Sequence, residues 1–240
     1  MDNNLKKLNE IGIALSTEKD ITSLLELIVD EAMNITNADG ATLYRVIDNH
    51  TRLKFEISKN ITLGWNFVGM SEEKFYPVKL YDSETGEPNR GNVSAYCALT
   101  GETVNVKNAY NEKGFDFSGL KGFDKKVSYK SVSLLNVPLK DHENNILGVL
   151  QLVNSIDKET KEIISFEESL VKLIESITSQ AAVALNNTIL IKTLENILKS
   201  LIQYTVKAID SKTHHTAGHS SRVAKLTRKM AESINEINKG

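Results

Sequence analysis

Apolar residues recur every three or four positions at the start of the chain. Leu5, Leu8, Ile11 and Leu15 share one face of a helix over residues 5–15. Ile21, Leu24, Leu25, Ile28, Val29 and Ala32 share one face of a second helix. Ser16-Thr17-Glu18-Lys19-Asp20 separates the two, and either Asp20 or Thr22 is placed to cap the second. Asn37-Ala38-Asp39-Gly40 reads as a stop and a turn. From residue 41 the period drops to two. ATLYRVID and RLKFEIS read as adjacent strands about the turn Asp48-Asn49-His50. FYPVKLYD (75–82) reads as a third strand, with Pro77 marking an edge or an irregular place.

Beyond the loop SETGEPNRG, the segment NVSAYCALTG reads as a helix capped by Asn92 and ended by Gly101, followed by a short strand, ETVNV. Residues 107–130 carry Gly114, Gly119, Gly122 and several aromatics, and read as one long irregular connection. Connections of that length inside a compact domain are commonly functional or disordered. SVSLLNVPLKD and NILGVLQLVN then read as two strands about a turn at 142–145. Helical character runs almost unbroken from Ile163 to Ile209. Its seam is Phe166, Leu170, Leu173, Ile177, Gln180, Ala184, Asn187, Ile191, Leu194, Leu198, Leu201, Thr205 and Ala208, a heptad pattern. Gln180 and Asn187 on that seam would fix register. Ile174, Ala181 and Leu185 are expected to face the sheet, and the half from Ile191 onward is expected to pair with a second copy. The predicted class is α+β: an antiparallel sheet flanked by helices, with a long C-terminal helix.

About 40% of the residues are apolar and 25% charged, enough for a sizeable core. The net charge of -2 gives no pull toward nucleic acid or a membrane surface. The N-terminus MDNNLKKLNE has no apolar signal core, and no apolar run approaches the ~20 residues that span a bilayer. Cys97 is the one cysteine, so no intrachain disulfide forms. A cytoplasmic protein is expected. Cys97 sits mid-helix beside Ala95, Tyr96 and Ala98, with no basic neighbour in sequence to activate it, and reads as a small buried hydrophobe. His50 and His142 fall at predicted turns. Neither a phosphate-binding glycine loop nor a nucleophile elbow is present.

Three stretches carry a family resemblance: ALTGETVNVKNAY (98–110), GFDKKVSYKSVSLLNVPLKD (122–141) and NILGVLQLVN (145–154). In order, spacing and type they resemble the GAF domains, sensor modules of cyclic-nucleotide phosphodiesterases, phytochromes and many bacterial regulators. The resemblance covers residues 15–187. It implies a small-molecule sensor with a ligand-capping loop over the two central strands. The phosphodiesterase subset carries an Asn-Lys, Phe, Asp motif. Here Asn154 and Phe166 are present, Ser155 replaces the lysine, and Glu167-Glu168 stand beside Phe166. That departure bears on cyclic-nucleotide binding, not on the fold.

The segment AIDSKTHHTAGHSSRVAKLTRKMAESI (208–234) resembles the opening of an HD-GYP domain, the family that hydrolyses cyclic di-GMP. Asp210, Thr216, Gly218-His219-Ser220 and Arg222-Val223 carry that likeness. The resemblance implies that His219, with His215 one helical turn earlier, would ligate a divalent metal, iron or manganese, in an intact domain. No His-Asp pair and no Gly-Tyr-Pro occurs in the sequence. A hydrolytic site needs several convergent ligands, so no catalytic residue and no cofactor is assigned to these residues, and a fragment is expected.

The expected organisation is a sensor over residues 1–187, a linker helix over 188–209 and an HD-GYP fragment over 210–240. The candidate ligand site is built on the connection 107–130. Phe117, Phe123 and Tyr129, with Phe115, would stack on a planar ligand, and Ser118 and Asp124 would supply polar contacts. Ser131 and Ser133, two apart on a predicted strand, would share the pocket floor. Tyr96, with Trp65, is a further lining candidate. The aromatics also read as a small core for a long loop. The expected partner is a small molecule, a nucleotide among the candidates, with a homodimer formed through the C-terminal helix. The competing expectations are a dimerisation scaffold with an empty pocket, and metal-dependent phosphodiesterase activity of a longer protein.

Overall fold

The computed structural model describes residues 2–69, 76–212 and 219–237. In chain order these form α1 (Asp2–Thr17), α2 (Ile21–Thr36), β1 (Ala38–Ile47), β2 (Arg52–Asn60), β3 (Trp65–Val68) and β4 (Val78–Lys79). There follow α3 (Val93–Thr100), β5 (Val104–Val106), α4 (Ser118–Val127), β6 (Leu134–Lys140), β7 (Ile146–Ile156), β8 (Ile163–Ile164), α5 (Glu168–Lys212) and α6 (His219–Ile237). The chain divides into two compact units, Met1–Thr188 and Ile189–Gly240.

The second helix forms for the reasons its sequence offers. Asp20 accepts a hydrogen bond from Ser23 N–H as N-cap, and Asn37 closes the helix in the left-handed conformation at φ 50°. Its apolar stripe is buried from Leu24 through Ala32. Each such Leu or Ile contributes about 1.5–3 kcal/mol relative to exposure. α2 packs on β1, β2 and β7. α1 packs on α2 and reaches α5, where Gly12 leaves room for the Gln180 side chain.

The sheet is antiparallel throughout, in the order β3-β2-β1-β7-β6-β5, with β4 on β2 and β8 on β7. Register separates its two faces. Ala41 pairs with Leu152, Leu43 with Leu150, and Leu152 and Leu150 with Leu135 and Val137. All of these are buried, so this face is closed. The opposite face carries Thr42, Tyr44, Asn136, Val149, Gln151 and Val153, and α3 packs there against β6 and β7. Gly148 lets β7 approach β1: a Cβ there would stand 2.2 Å from the Tyr44 carbonyl oxygen.

Several elements differ from the sequence expectations. β1 begins at Ala38, because the single left-handed residue Asn37 makes the turn without help from Ala38-Asp39-Gly40. The connection 107–130 contains α4, closed by left-handed Ser128 at φ 54°. β3 was not anticipated. The expected strand 75–82 is reduced to Val78–Lys79 and a bridge between Tyr81 and Pro88, since Pro77 has no N–H for a ladder; Phe75 lies outside the described residues. Ile163 and Ile164 are a strand on β7, not the start of the long helix, and Phe166 lies buried ahead of α5. An Asp157 turn with left-handed Lys161 at φ 61° folds them back.

Candidate ligand-binding site

The face of the sheet beneath α3 and α4 is polar at its centre. Asn136 pairs with Gln151 in the β6–β7 register, and Thr42 pairs with Gln151 from the other side. Gln151 Nε2 donates to Asn136 Oδ1 at 3.1 Å and to Ser94 Oγ at 3.3 Å, and Ser94 donates to Asn136 Oδ1 at 3.0 Å. Tyr44 donates to Gln151 Oε1 at 3.2 Å. Burial pushes the Tyr44 hydroxyl up to about 12, with the neighbouring Ser94 hydroxyl pulling the other way. Asn136 is fully buried, yet its Nδ2 donor has no partner. An unpaired buried donor costs about 1–3 kcal/mol, so this network is an acceptor short. Thr42, Ser58, Gln151 and Val153 on the same face are only half-buried, unlike the closed face behind them.

α4 roofs this face, and its ties are internal. Asp124 is the buried residue of the helix. Its carboxylate accepts from Ser131 N–H and Ser131 Oγ, both at 2.8 Å, and from the Tyr110 hydroxyl at 2.7 Å. That last bond raises the Tyr110 hydroxyl above its ordinary value. The Tyr110 ring in turn lies 5.3 Å from the ammonium groups of both Lys121 and Lys130.

A second cluster ties the end of α4 to the sheet. Asn154, left-handed at φ 55° within β7, accepts from Val132 N–H at 2.7 Å and donates to the Lys130 carbonyl at 2.8 Å and to the Tyr129 hydroxyl at 3.0 Å. Tyr129 donates to Asp39, which also accepts from the Thr62 hydroxyl at 2.7 Å. Burial first, then the bond to Asp39, raises the Tyr129 hydroxyl. Ser155 is buried, donating from Oγ to the Thr36 carbonyl at 2.9 Å.

The expected site residues therefore fall into separate places. Phe123 is 41% exposed and meets Trp65 of β3 edge-on at 5.7 Å, bridging α4 to the sheet. Phe117 sits in a core cluster with Val93, Val106, Ala109 and Leu134. Ser118 is exposed at the start of α4. Tyr96 stacks edge-on against Phe115 at 5.4 Å and donates to Glu102 at 2.7 Å, a bond that raises its hydroxyl. Ser131 and Ser133 precede β6, both buried; Ser131 binds Asp124, and Ser133 Oγ accepts from Ser155 N–H at 3.2 Å. The residues that sequence reasoning missed are Tyr44, Ser94, Asn136 and Gln151. For Asn136 and Gln151 the signal is a polar residue interrupting an apolar run, between Leu135 and Val137 in β6 and between Leu150 and Leu152 in β7.

Cys97 is buried in a core cluster, and burial pushes its thiol up to about 12. Among the described residues no group of three or more His, Cys, Asp or Glu side chains is placed to hold a metal ion. His215 lies outside the described residues. His219 opens α6, and its side chain lies outside what is described. Among the described residues no helix is long and apolar enough to cross a membrane.

Comparison with known proteins places this geometry. The sequence profile of the GAF domain family matches residues 20–185. Over 140 residues the chain is 27% identical to dual 3',5'-cyclic-AMP and -GMP phosphodiesterase 11A of Takifugu rubripes, covering 58% of this chain and 14% of that protein's length. The fold is similar to the GAF domain of a phosphoenolpyruvate-protein phosphotransferase from Acinetobacter, with a TM-score of 0.54, 16% identity, and coverage of 79% of this chain and 97% of that one. It is similar also to the corresponding GAF domain from Coxiella burnetii, with a TM-score of 0.53, 15% identity and coverage of 75% and 90%.

Proposed function

The chain belongs to the GAF domain family, and from that premise we propose that residues 1–187 bind a planar small molecule between α3, α4 and the open sheet face. We take its output to run along α5 through a linker, 188–209, to an HD-GYP cyclic di-GMP phosphodiesterase domain whose opening is residues 210–240. GAF domains are small-molecule-sensing regulatory domains and are typically non-catalytic. The observation that carries the reading is the contrast between the faces: one sealed by aliphatic side chains, the other polar at its centre, half-buried at Thr42, Ser58, Gln151 and Val153, and one acceptor short at Asn136. An apolar pocket with a few convergent polar groups is the usual form of a small-molecule site.

Phe123 and Trp65 offer aromatic edges at the rim, and Tyr129 with Asn154 fixes the end of the roof. The cyclic-nucleotide phosphodiesterase relative supports a nucleotide as the ligand. Ser155, buried where the phosphodiesterase subset has lysine, argues for a different set of contacts to it. The ligand acts by population shift. It binds better to one arrangement of α4 and the sheet than to another, and α5 carries the difference. In an intact HD-GYP domain His215 and His219 would hold a divalent metal that supplies a Lewis acid for phosphodiester cleavage; no step is assigned to this chain.

One observation favours a second reading. Asp124 is already satisfied within the protein, which suits a scaffold that positions helices around an empty pocket. Thermal unfolding with cyclic AMP, cyclic GMP and cyclic di-GMP separates the two. A ligand at 100 times its Kd stabilises by about 2.7 kcal/mol, so the midpoint climbs with concentration. A flat midpoint across all three supports the scaffold.

A further inference from the structure

Among the described residues two buried side-chain atoms lack a hydrogen-bond partner, Asn136 Nδ2 and Asn105 Oδ1. They lie one step apart on the same ladder: Asn136 of β6 pairs with Val104 of β5, and Asn105 of β5 pairs with Leu135 of β6. Successive residues of a strand face opposite ways. Val104 therefore shares the α3 side with Asn136 and packs against the core cluster that holds Ala95 and Cys97 of α3. Asn105 faces the closed side. β5 is an edge strand of three residues, paired with β6 alone. Gly101 closes α3, and only Glu102 and Thr103 separate it from β5. A strand tethered that closely follows α3 when α3 moves.

On the closed side the Asn105 amide donates from Nδ2 to the Phe166 carbonyl at 2.9 Å, two residues ahead of α5. Its Oδ1 is one donor short. The start of α5 has the opposite surplus: among the described residues, the N–H groups of Glu168 and Ser169 make no bond within the chain. That is the state of a helix start without a side-chain cap. Turning the amide over does not bring the two together, because its oxygen would then face the Phe166 carbonyl. We propose that Asn105 is the positioning residue that sets the start of α5, and that it has two seats. In the seat of this structure it holds the Phe166 carbonyl. In the other, β5 has shifted against α5 and Oδ1 caps the N–H of Glu168 or Ser169. Each seat satisfies one half of the amide and leaves the other half wanting, so a small bias from α3 through β5 selects between them. This rests on the reading that the α3 face acts on α5, and it adds the joint through which that action passes.

Hydrogen exchange of the Glu168 and Ser169 amides, followed by NMR on the full chain without ligand, tests this. Asn105→Asp accepts but cannot donate. At about pH 7, above the ordinary carboxylate value, it should take the capping seat and slow exchange at one of the two amides at least tenfold. Asn105→Ala can occupy neither seat and should slow neither amide. No slowing with Asn105→Asp, equal slowing at both amides as a bare charge would give, or the same slowing with Asn105→Ala overturns the two seats. Transmission is read from a double-mutant cycle that does not need the aspartate variant. Ser94→Ala removes the α3 bonds to Asn136 and Gln151 and should change exchange at Glu168 or Ser169 at least threefold, but leave it unchanged in an Asn105→Ala background. Additive effects make the two residues independent and overturn the joint. A flat thermal response to nucleotides with a non-additive cycle sinks the sensing function and leaves the joint standing; a nucleotide response with an additive cycle does the reverse.

Discussion

Replacing Asp124 separates a structural staple from a ligand contact. The carboxylate accepts from Ser131 N–H, Ser131 Oγ and Tyr110 OH at 2.7–2.8 Å, and it is 2% exposed. Asp124→Ala removes all of these acceptor contacts and leaves the buried Ser131 N–H unpaired. Hydrogen bonds to a charged group contribute about 1.5–3 kcal/mol each, and a stranded donor costs about 1–3 kcal/mol. Ser131 supplies two of the donors and Tyr110 is half-buried, so the losses overlap and water replaces part of them. The expected cost is about 3–5 kcal/mol. Asp124→Asn can keep the set: its oxygen accepts from Ser131 N–H and Tyr110 while its amide donates to the Ser131 hydroxyl. That change trades charged for neutral bonds and should cost about 1–2 kcal/mol. Urea unfolding gives both numbers, and hydrogen exchange over 118–131 should lose protection in the alanine variant first. If Asp124→Ala costs less than about 1 kcal/mol, the staple argument is wrong and the residue is free to serve a ligand.

Gly148→Ala sets a methyl group 2.2 Å from the Tyr44 carbonyl oxygen, and β1 must move to admit it; a loss of about 1–3 kcal/mol in stability, read by urea unfolding, is expected. Cys97 should resist thiol reagents in the native chain and react at once in denaturant, because its thiol is raised to about 12 within the core. Its folded pKa exceeds the ordinary 9.0, so the folded state holds a proton that the unfolded state releases. Stability therefore falls as pH rises above that value, by about 1.4 kcal/mol at pH 10, and Cys97→Ala should flatten that limb. The turn residues Asp82, Asp141 and Asp157 run the other way. Hydrogen bonds from Thr85, Asn145 and Thr160 lower them below 3.8, so their contribution is present above that pH and is lost as pH falls through the folded values. Asn at these positions should shallow the acid limb of thermal stability.

Where apolar periodicity met a buried face, the elements were legible. The stripe of α2 and the apolar runs of β6 and β7 are written in side chains that must leave water. The end signals Asp20, Asn92 and Gly101 sit where the chain caps itself. α4 was hidden because SGLKGFDKKV buries Asp124 instead of an apolar stripe, opens on Phe117 without a side-chain cap, and carries two glycines. β3 was hidden because four residues at a sheet edge, mostly exposed, need no alternation. Ile163 and Ile164 looked helical because they run into Phe166; the Asp157 turn that separates them is a local hydrogen-bond pattern, not a hydrophobic one. The polar floor depends on register. Asn136 and Gln151 become one site only when β6 lies beside β7. The GAF resemblance was legible from three short stretches, and it named the roof of the site before its floor.

Trp65 is the one tryptophan of the chain and meets Phe123 at the rim of the proposed site. Its emission during titration with cyclic AMP, cyclic GMP and cyclic di-GMP therefore reports directly on ligand entry. The account predicts a saturable change with at least one of them, weakened at least tenfold by Phe123→Ala. Emission unaltered by all three, in a chain whose fold is intact, contradicts it.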